Sequence, residues 1–355
     1  MSWEDNVRKV VPYTPGEQPN IKNIIKLNTN ECPYPPAPGV EKKMKEMDYS
    51  DLRLYPDPEA SELVDAISDY YKVPSDQIFV GVGSDDVIAM SFLTFFNSDK
   101  KILFPDVTYS FYDVWAELFG IGYERVPLDE NFKLVREDYY KENGGVIFPN
   151  PNAPTGILMG LDDITDILDH NRDVVVIVDE AYIDFGGETA LGLIDKYENL
   201  LVVRTFSKSR AMAGIRIGYA FGSKKLIKYL QDAKYSFNSY TMNRPSIELG
   251  AEAIRDDAYF KDICGKIIST RERVGAELKN LGFEMTDSMA NFLFVKHPDF
   301  SGKEIFGRLR EKGIIVRRWD AERISEYLRI TIGTDREMDT LVEALGEIVG
   351  SLKKS

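Results

Sequence analysis

Thr205-Phe-Ser-Lys-Ser-Arg-Ala-Met-Ala-Gly-Ile-Arg-Ile-Gly218 is the stretch of this 355-residue sequence that says most about its fold. It follows the apolar run Leu200–Val203 and leads into a second one, Arg216–Gly222. Short apolar runs of this length predict buried strands. Lys208 therefore lies in a loop between two predicted strands, with hydroxyl side chains on both sides and an arginine further along. This combination is unusual for a connecting loop.

The side chains of this loop suit a ligand that carries both an aldehyde and a phosphate. Lys208 has a primary amine, which can form an imine with an aldehyde. The hydroxyl and guanidinium groups around it are donors of the kind that a phosphate needs, and they belong to Thr205, Ser207, Ser209, Arg210 and Arg216. Pyridoxal phosphate is a small molecule with both groups. The alternative is a surface loop with solvated Lys and Arg side chains, and this stretch alone does not separate the two.

Composition limits the class of protein and its partners. A length of 355 residues exceeds the roughly 150 residues of a typical domain, so two domains are expected. The net charge of −14 argues against nucleic acid and against an anionic membrane surface as partners. Two cysteines and two histidines predict no disulfide framework, no metal site and no histidine-based nucleophilic triad. No apolar run reaches the roughly 20 residues of a membrane span, and the first residues have no signal-peptide character, so we expect a cytoplasmic protein.

Regular alternation of short apolar strands with helix-length segments begins at Glu59. The strongest predicted strand is Asp173–Asp179, whose β-branched residues favour a central place in a parallel sheet. Similar runs predict strands at Gln77–Gly81, Lys101–Pro105, Gly122–Val126, Gly145–Phe148, Leu200–Val203 and Arg216–Gly222. Apolar spacing predicts helices at Ser61–Tyr71, Val87–Phe96, Pro245–Asp256, Tyr259–Leu281 and Asp335–Leu352. We therefore predict an α/β fold whose large domain has a mostly parallel, seven-stranded sheet flanked by helices.

The residues outside this region predict an arm and a second domain. Up to about Pro58 the chain is rich in proline and polar turn formers, and Cys32–Pro38 in particular predicts an extended chain. After about Arg244 long helices are followed by short strands, which predicts a smaller α+β domain. The predicted division is an N-terminal arm that packs on the small domain (residues 1–40), a large domain (41–245) and a small domain (246–355).

Three further motifs follow predicted strands, at the edge of the sheet where open α/β folds bind ligands. Gly81–Asp86 opens a helix whose free N–H groups suit a phosphate, although the third glycine of a dinucleotide motif is absent and a capped helix that binds nothing is the alternative. Asn150–Gly156, with two prolines and a glycine, predicts a rigid loop. Asp179–Tyr182 ends the strongest strand, and its carboxylate could pair with a protonated ring nitrogen. The alternative for this last motif is an aspartate that caps the next turn.

These motifs in this order resemble the fold-type I pyridoxal-phosphate-dependent aminotransferases of classes I and II, over nearly the whole chain. Within that superfamily the sequence most resembles the histidinol-phosphate aminotransferase family. The narrower resemblance is carried by Pro12-Tyr13, Leu27–Glu31, Leu54–Pro56, Asp179–Phe185, Arg204–Lys208 and Leu328–Gly333.

The resemblance implies a role for each matched residue. Lys208 would bind the cofactor covalently and shuttle a proton, Asp179 would pair with the pyridinium nitrogen, and Tyr182 would contact O3′ of the ring. Tyr109 would stack on the ring face. The cofactor's phosphate would be held by Ser84 and Asp85 through backbone N–H groups, by Ser207 and Arg216 through side chains, and by Tyr55 of the neighbouring subunit. Arg329 would bind the substrate's carboxylate, and the candidates near the substrate's polar end are Tyr13, Asn30 and Arg317.

One position departs from the family pattern. The usual asparagine directly before Pro-Thr-Gly is Ala153 here, and Asn152 lies one residue earlier. We expect Asn152 to supply the amide that contacts the cofactor, although side chains of adjacent residues point in different directions.

The function implied is reversible amino transfer between L-histidinol phosphate and 2-oxoglutarate, giving imidazole-acetol phosphate and L-glutamate, in histidine biosynthesis by a homodimer. Arg317 and Arg329 suit these substrates, because guanidinium groups bind phosphates and carboxylates through paired donors. An aromatic-amino-acid aminotransferase and a threonine-phosphate decarboxylase on the same scaffold are alternatives. A non-catalytic binding module is a third, and Lys208 argues against it because such a module needs no imine-forming lysine.

Overall fold

The computed structural model describes residues 2–19 and 23–354. The β-strands of this part of the chain are β1 Ile25–Lys26, β2 Ile78–Gly81, β3 Ile102–Pro105, β4 Tyr123–Val126, β5 Val146–Pro149, β6 Val176–Asp179, β7 Leu200–Thr205, β8 Gly218–Phe221, β9 Glu284–Met285, β10 Phe292–Lys296, β11 Ile314–Ile315, β12 Arg317–Arg318 and β13 Leu328–Thr331. The α-helices are α1 Pro38–Glu46, α2 Ser61–Tyr71, α3 Gly83–Phe95, α4 Phe111–Phe119, α5 Leu161–His170, α6 Lys224–Phe237, α7 Arg244–Arg255, α8 Asp257–Asn280, α9 Gly302–Glu311 and α10 Asp335–Leu352. Short 3₁₀ turns occur at Trp3–Asn6, Tyr49–Arg53, Ser75–Gln77, Arg136–Tyr139, Ile183–Phe185, Ala190–Leu193 and Ala213–Ile215.

The large sheet has seven strands in the order β2-β8-β7-β6-β5-β3-β4. Only β8 runs against its neighbours, and the pairs from β7 through β6, β5 and β3 to β4 are all parallel. β6 lies at the centre, as its run of β-branched residues predicted, because a strand covered on both faces has no polar side to offer water. The prediction of an α/β fold with a mostly parallel seven-stranded sheet is confirmed.

The residues of each strand alternate between two helical layers. Val176 and Val178 of β6 belong to a core that also contains the apolar faces of α1, α2, α5 and α7. Ile177, between them, belongs to the core on the opposite face, which α3, α4 and α6 cover. This alternation follows from the two-residue period of a strand.

The small domain is an antiparallel sheet in the order β12-β13-β10-β9. Its buried face packs against α8, α9 and α10 in a separate core. α10 has the predicted bounds and begins with a capping box, in which Thr334 and Glu337 satisfy each other's backbone N–H groups.

The N-terminal arm contacts both domains. β1 pairs in parallel with β11, so this part of the arm lies on the small domain. Tyr13, however, stacks on Phe111 of α4 in the large domain, with ring centroids 4.1 Å apart. Arg8 donates a hydrogen bond to the Leu118 carbonyl of the same helix. The first half of the arm therefore lies on the large domain, which the sequence did not predict.

Two parts of the predicted division differ from the packing. α1 begins at Pro38, in the last residues of the predicted arm (1–40), and continues into the predicted large domain. Pro38 occupies the first turn of the helix, where proline is tolerated, and Val40 is buried against the large domain. α7 also belongs to the large domain, since Ile247, Leu249 and Ile254 lie in its core. The packing thus places the change of domain at Asp256, between α7 and α8, rather than at residues 245–246.

Within residues 2–19 and 23–354, no helix is both long and apolar enough to cross a membrane. At the carboxyl ends of β2, β5, β6 and β7, the chain passes into the motifs singled out in the sequence. Since these ends meet along one edge of the sheet, the motifs are brought together there.

Candidate active site

Two adjoining cavities lie at this edge of the sheet. The Asp179 cavity is lined by Asp179 together with Ser84, Asp85, Thr205, Ser207 and Arg216. The Arg329 cavity is lined by Arg329 together with Tyr13, Asn28, Asn30, Arg317 and Trp319. The residues that line both cavities are Tyr109, Ala153, Tyr182 and Lys208.

Lys208 stands at the junction of the two cavities. It follows β7 by three residues, and its Nζ donates a 3.0 Å hydrogen bond to the backbone oxygen of Thr29 in the arm. Its Nζ lies 5.8 Å from the centre of the Tyr182 ring. The turn before it is fixed because the Ser207 N–H donates to the hydroxyl of Thr205, at 3.1 Å. The amine therefore reaches a ligand in either cavity.

Asp179 ends β6 and is almost fully buried. The Tyr112 hydroxyl donates to one of its oxygens at 3.0 Å, and the Ala181 N–H donates to the other at 3.2 Å. Burial raises the pKa of Asp179 to about 6, and these hydrogen bonds oppose the rise. The carboxylate is mostly ionised at neutral pH, and a cationic ligand group beside it would complete the ionisation.

The opposite part of the Asp179 cavity is an anion cradle at the first turn of α3. No side chain caps this helix, so the N–H groups of Ser84 and Asp85 have no side-chain acceptor among the described residues. Arg216 lies beside this turn and donates to the Ser207 hydroxyl at 3.3 Å and to the Asp85 carboxylate at 3.1 Å. Free N–H groups, a helix dipole and a guanidinium group together suit a phosphate.

Glycine is required where the cradle meets β8. Gly83 has a φ of +83°, and a Cβ there would lie 2.4 Å from a guanidinium nitrogen of Arg216. A Cβ at Gly218 would lie 2.2 Å from the backbone of Gly83. Gly83 and Gly218 thus allow close packing around Arg216, whereas a Cβ at Gly81, the first glycine of the motif, would lie 2.6 Å from the Asp86 carboxylate.

Two tyrosines complete the Asp179 cavity. Tyr109 donates to the Asp85 carboxylate at 2.8 Å, and burial together with that charge raises the pKa of Tyr109. The hydroxyl of Tyr182 accepts a 2.9 Å hydrogen bond from the Asn30 amide. Both rings also border the Arg329 cavity, so both face the boundary between the two spaces.

Arg317 and Arg329 are directly opposite each other on the antiparallel strands β12 and β13. Like charges in such a pair repel. Within residues 2–19 and 23–354 neither guanidinium has a carboxylate partner, and the Nε of Arg329 has no hydrogen-bond partner at all. Arg329 donates only to the Asn28 carbonyl, at 2.9 Å, and burial lowers its pKa. The pair forms an unneutralised cationic surface, on which an anion would relieve the repulsion.

Trp319 and Tyr13 cover this arginine pair. The guanidinium carbons of Arg317 and Arg329 lie 5.5 and 5.3 Å from the centre of the Trp319 ring. Tyr13 lines the same cavity from the arm, and burial raises its pKa. The arm therefore closes one side of the Arg329 cavity.

A family model described as aminotransferase class I and II matches residues 22–345 of this sequence. The chain belongs to the class I and II aminotransferase family. It is 49% identical to the histidinol-phosphate aminotransferase of Lactococcus lactis subsp. cremoris (strain MG1363) over 355 residues, which is 100% of both chains. It is 52% identical to that of Clostridium acetobutylicum over 349 residues, or 98% of this chain and 99% of that one. The crystal structure of histidinol-phosphate aminotransferase from Sinorhizobium meliloti in complex with pyridoxal-5′-phosphate is similar in fold, with a TM-score of 0.85 at 23% identity over 92% of this chain and 91% of that chain.

The amide of Asn152 is bound to the protein itself. Its side-chain nitrogen donates to the Val107 carbonyl at 3.0 Å and to the Thr155 hydroxyl at 3.1 Å, and its side-chain oxygen accepts from Thr108 at 3.3 Å. Ala153, and not Asn152, is among the residues that line the two cavities. The contact between Asn152 and the cofactor stays a prediction, and these hydrogen bonds give the amide another role.

Three other residues singled out in the sequence lie away from both cavities. The Ser209 hydroxyl donates to Asp184 at 2.5 Å, and Arg210 donates to a carbonyl of α7 and covers the ring of Phe260 at 3.6 Å. Both belong to the packing between elements rather than to the anion cradle. Tyr55 is 77% exposed and stacks on Tyr240, with ring centroids 4.6 Å apart. It contributes to neither cavity of its own chain.

Sequence reasoning missed Tyr112, Trp319 and Thr29. Tyr112 follows Tyr109 by three residues, and Trp319 follows Arg317 by two, so helical and strand periods could have indicated shared faces. Thr29 acts through its backbone oxygen, for which a sequence gives no signal. In the part of the chain that the structure describes, no group of three or more His, Cys, Asp or Glu side chains could hold a metal ion.

Proposed function

We propose that this aminotransferase uses pyridoxal phosphate to transfer an amino group between L-histidinol phosphate and 2-oxoglutarate, giving imidazole-acetol phosphate and L-glutamate, in the biosynthesis of histidine. The support is threefold: the family, relatives about half identical over the full length, and the unneutralised arginine pair in the Arg329 cavity. The arginine pair is the observation that bears on the substrate itself.

The residues of the Asp179 cavity fit pyridoxal phosphate at both ends. The uncapped N–H groups of α3 and the guanidinium of Arg216 suit its phosphate. Gly83 and Gly218 have no Cβ, which lets the first turn of α3 lie close to both Arg216 and β8. The buried carboxylate of Asp179, some distance away in the same cavity, suits a protonated pyridine nitrogen. The proposed cofactor-binding residues are Lys208, Asp179, Tyr182, Tyr109, Ser84, Asp85, Ser207 and Arg216.

Each residue then has a physical task. When bound, the cofactor withdraws electrons from the bonds at the carbon that carries the substrate's amino group, which makes a proton on that carbon acidic. Lys208, at the junction of the two cavities, is placed to take that proton and return it. Asp179 would keep a proton on the ring nitrogen, since its own ionised form would be stabilised by that cation. Tyr182 would donate a hydrogen bond from its hydroxyl to the ring oxygen.

The Arg329 cavity must bind two different anions in turn. Histidinol phosphate carries a phosphate, and 2-oxoglutarate carries two carboxylates. Arg317 and Arg329 offer parallel N–H donors that suit either group, and the repulsion between them is relieved by whichever anion binds. An aromatic amino acid has a single carboxylate, which one of these arginines would satisfy.

The experiment that tests the substrate compares kcat/KM for histidinol phosphate, phenylalanine, tyrosine and threonine phosphate, with release of carbon dioxide measured for the last. We expect histidinol phosphate to be preferred. Arg317→Ala should lower kcat/KM for histidinol phosphate by roughly 10- to 100-fold, as for the loss of a charge-assisted hydrogen bond, and should leave any turnover of phenylalanine nearly unchanged.

Arg318→Ala is the matched control for this substitution. Arg318 is the next residue on β12, where strand alternation turns it to the other face, and its guanidinium is bound to the Ser325 carbonyl at 2.8 Å and to Asp320 at 2.6 Å. We expect its removal to change kcat/KM for histidinol phosphate less than threefold. A preference for an amino acid, or release of carbon dioxide from threonine phosphate, would show that the proposed substrate is wrong.

We propose further that the working unit is a homodimer, in which Tyr55 of one copy reaches the cofactor's phosphate in the other. The support is a surface of exposed apolar side chains around the 3₁₀ turn at Tyr49–Arg53, formed by Tyr49, Leu52, Leu54, Tyr55, Phe237 and Tyr240. Tyr55 and Tyr240 of this set stack on each other, and exposed apolar side chains that group together are typical of an interface. The cytoplasmic location stays a prediction from the sequence.

A further inference from the structure

A chain of hydrogen bonds connects β13 of the small domain to Tyr182 at the boundary of the two cavities. The backbone N–H of Asn30 donates to the Thr331 hydroxyl at 3.0 Å, and that hydroxyl donates to the side-chain oxygen of Asn30 at 3.1 Å. The side-chain nitrogen of Asn30 donates to the Tyr182 hydroxyl at 2.9 Å. All three residues are buried.

The donors and acceptors of this chain match in one consistent set of directions. The Thr331 hydroxyl accepts from a backbone N–H, so its single proton is free to go to the Asn30 oxygen. An amide whose oxygen is engaged on that side must present its NH₂ group to Tyr182. Tyr182 therefore accepts from Asn30, and its own proton is left to be donated elsewhere. The Tyr182 ring borders the Asp179 cavity, which is where a ring oxygen of the cofactor would lie.

Asn30 is held in this position by the small domain. Its backbone has a φ of +56°, a conformation that asparagine tolerates better than most residues. Its carbonyl accepts a 3.0 Å hydrogen bond from the Asn291 amide. Ala153, at the loop position that borders the same cavity, has no polar group that could share the work of Tyr182.

We infer that Asn30 is a positioning residue, which acts through Tyr182 by fixing that hydroxyl as a donor toward the ring oxygen of the cofactor. This inference rests on the proposed function, because it needs pyridoxal phosphate in the Asp179 cavity. It assigns the Asn30 amide to Tyr182, rather than to the polar end of the substrate as predicted from the sequence. The role of Thr331 is to bind the side-chain oxygen of Asn30, so that the NH₂ group of Asn30 faces Tyr182.

The test is the pH at which the visible absorbance of the bound cofactor changes, measured without substrate. A hydroxyl that donates to the ring oxygen stabilises the deprotonated form of the cofactor, so its loss raises that pH. Tyr182→Phe should raise the pH of this absorbance change by roughly one unit or more, and the shifts of the other variants are compared with this one. Asn30→Ala should raise it by a large part of that shift, since the hydroxyl is then free to turn away from the ring.

Two controls separate positioning from a general loss of structure. Asn30→Ala should add no further shift in the Tyr182→Phe background, because the residue acts only through that hydroxyl. Thr331→Val, which removes the hydroxyl at nearly constant volume, should shift the pH in the same direction. Thr331→Ser, which keeps the hydroxyl, should behave as the unmodified protein does.

The outcomes distinguish this inference from the proposed function. An unchanged absorbance transition in Asn30→Ala, or an equal shift when Tyr182 is already phenylalanine, would overturn it. If Asn30→Ala yields no folded protein, the Thr331 pair decides, and identical behaviour of the Val and Ser variants would overturn it. An unmodified protein that binds no cofactor would refute the proposed function and this inference together. One that binds the cofactor but leaves histidinol phosphate unchanged would refute only the substrate, and the absorbance test would still decide the role of Asn30.

Discussion

Asp179→Asn should become more favourable to stability as the pH rises when the cofactor is absent, and this advantage should disappear when the cofactor is bound. Asp179 is buried at the end of β6, and burial raises its pKa from an ordinary value of 3.8 to about 6. The folded state therefore binds the carboxyl proton more tightly than the unfolded state does. The stability that this group contributes is full below pH 3.8 and is lost as the pH rises through 6.

The pKa shift sets the size of the effect. Relative to a pH below 3.8, the shifted pKa of Asp179 lowers the free energy of unfolding of the cofactor-free protein by roughly 1.6 kcal/mol at pH 5 and roughly 3 kcal/mol at pH 7.5. Asparagine carries no charge at either pH, although it weakens the hydrogen bond from Tyr112. The difference in free energy of unfolding between Asp179→Asn and the unmodified protein should therefore become more favourable to the variant by about 1.4 kcal/mol between pH 5 and pH 7.5.

The assay is urea unfolding of the cofactor-free proteins at both pH values and at one fixed protein concentration. Glu180→Gln is the matched control. Glu180 is also buried, but it pairs with Arg204 at 2.9 Å, so its neutralisation leaves that arginine poorly paired and should destabilise the protein at both pH values. With the cofactor bound, the advantage of Asp179→Asn should disappear, because the unmodified carboxylate then has a cation beside it. A difference that does not change between pH 5 and pH 7.5 would refute this account of Asp179.

Three other predictions follow from the geometry of the site. Gly83→Ala should weaken binding of the cofactor by roughly tenfold or more in an absorbance titration, because the added Cβ displaces the guanidinium of Arg216. Gly214→Ala is the control, since a Cβ there meets open space, and equal affinities of the two variants would contradict this prediction. Asn152→Ala should lower the free energy of unfolding by about 1–3 kcal/mol without changing the pH of the absorbance transition. A changed transition pH with unchanged stability would instead show that Asn152 contacts the cofactor. Mixed dimers of Lys208→Ala and Tyr55→Ala chains should regain activity that each variant lacks, since one site then has both residues; no activity despite subunit exchange would show that Tyr55 does not act across the interface.

The sequence alone predicted the large domain well, for a local reason. Most strands of the seven-stranded sheet are short apolar runs, and the composition of a run such as Asp173–Asp179 already predicts that it is buried. The edge strand β4, Tyr123–Val126, is the exception, since it contains Glu124 and Arg125. Ser61–Tyr71 and Asp335–Leu352 are helices with the predicted bounds, since their apolar spacing is local, and the second also has a capping box at Thr334. α1 was missed because the proline-rich composition before it outweighed a short amphipathic stretch that forms by packing on α7.

The sequence also predicted which motifs meet, because carboxyl ends of parallel strands share one edge of the sheet. Which side chain of a motif faces the ligand was decided only by the tertiary structure. Asn152 and Ala153 are neighbours in a loop, where side-chain directions follow no regular repeat as they do in a helix or strand. The path of the loop backbone therefore decided that Ala153 borders both cavities. Likewise Ser207 faces the anion cradle, whereas Ser209 faces Asp184.

The contacts around Asn30 show the same limit over a longer distance. A sequence can place an asparagine in the arm, and a resemblance can associate it with the substrate. The identity of its partners depends on where residues 301 positions apart, Asn30 and Thr331, come to lie after the two domains have folded. The direction of a hydrogen bond depends on the other hydrogen bonds that each partner makes, and these form only when the chain has folded. The sequence thus determined the scaffold and the chemical groups available to the site, and the tertiary structure decided how those groups are oriented.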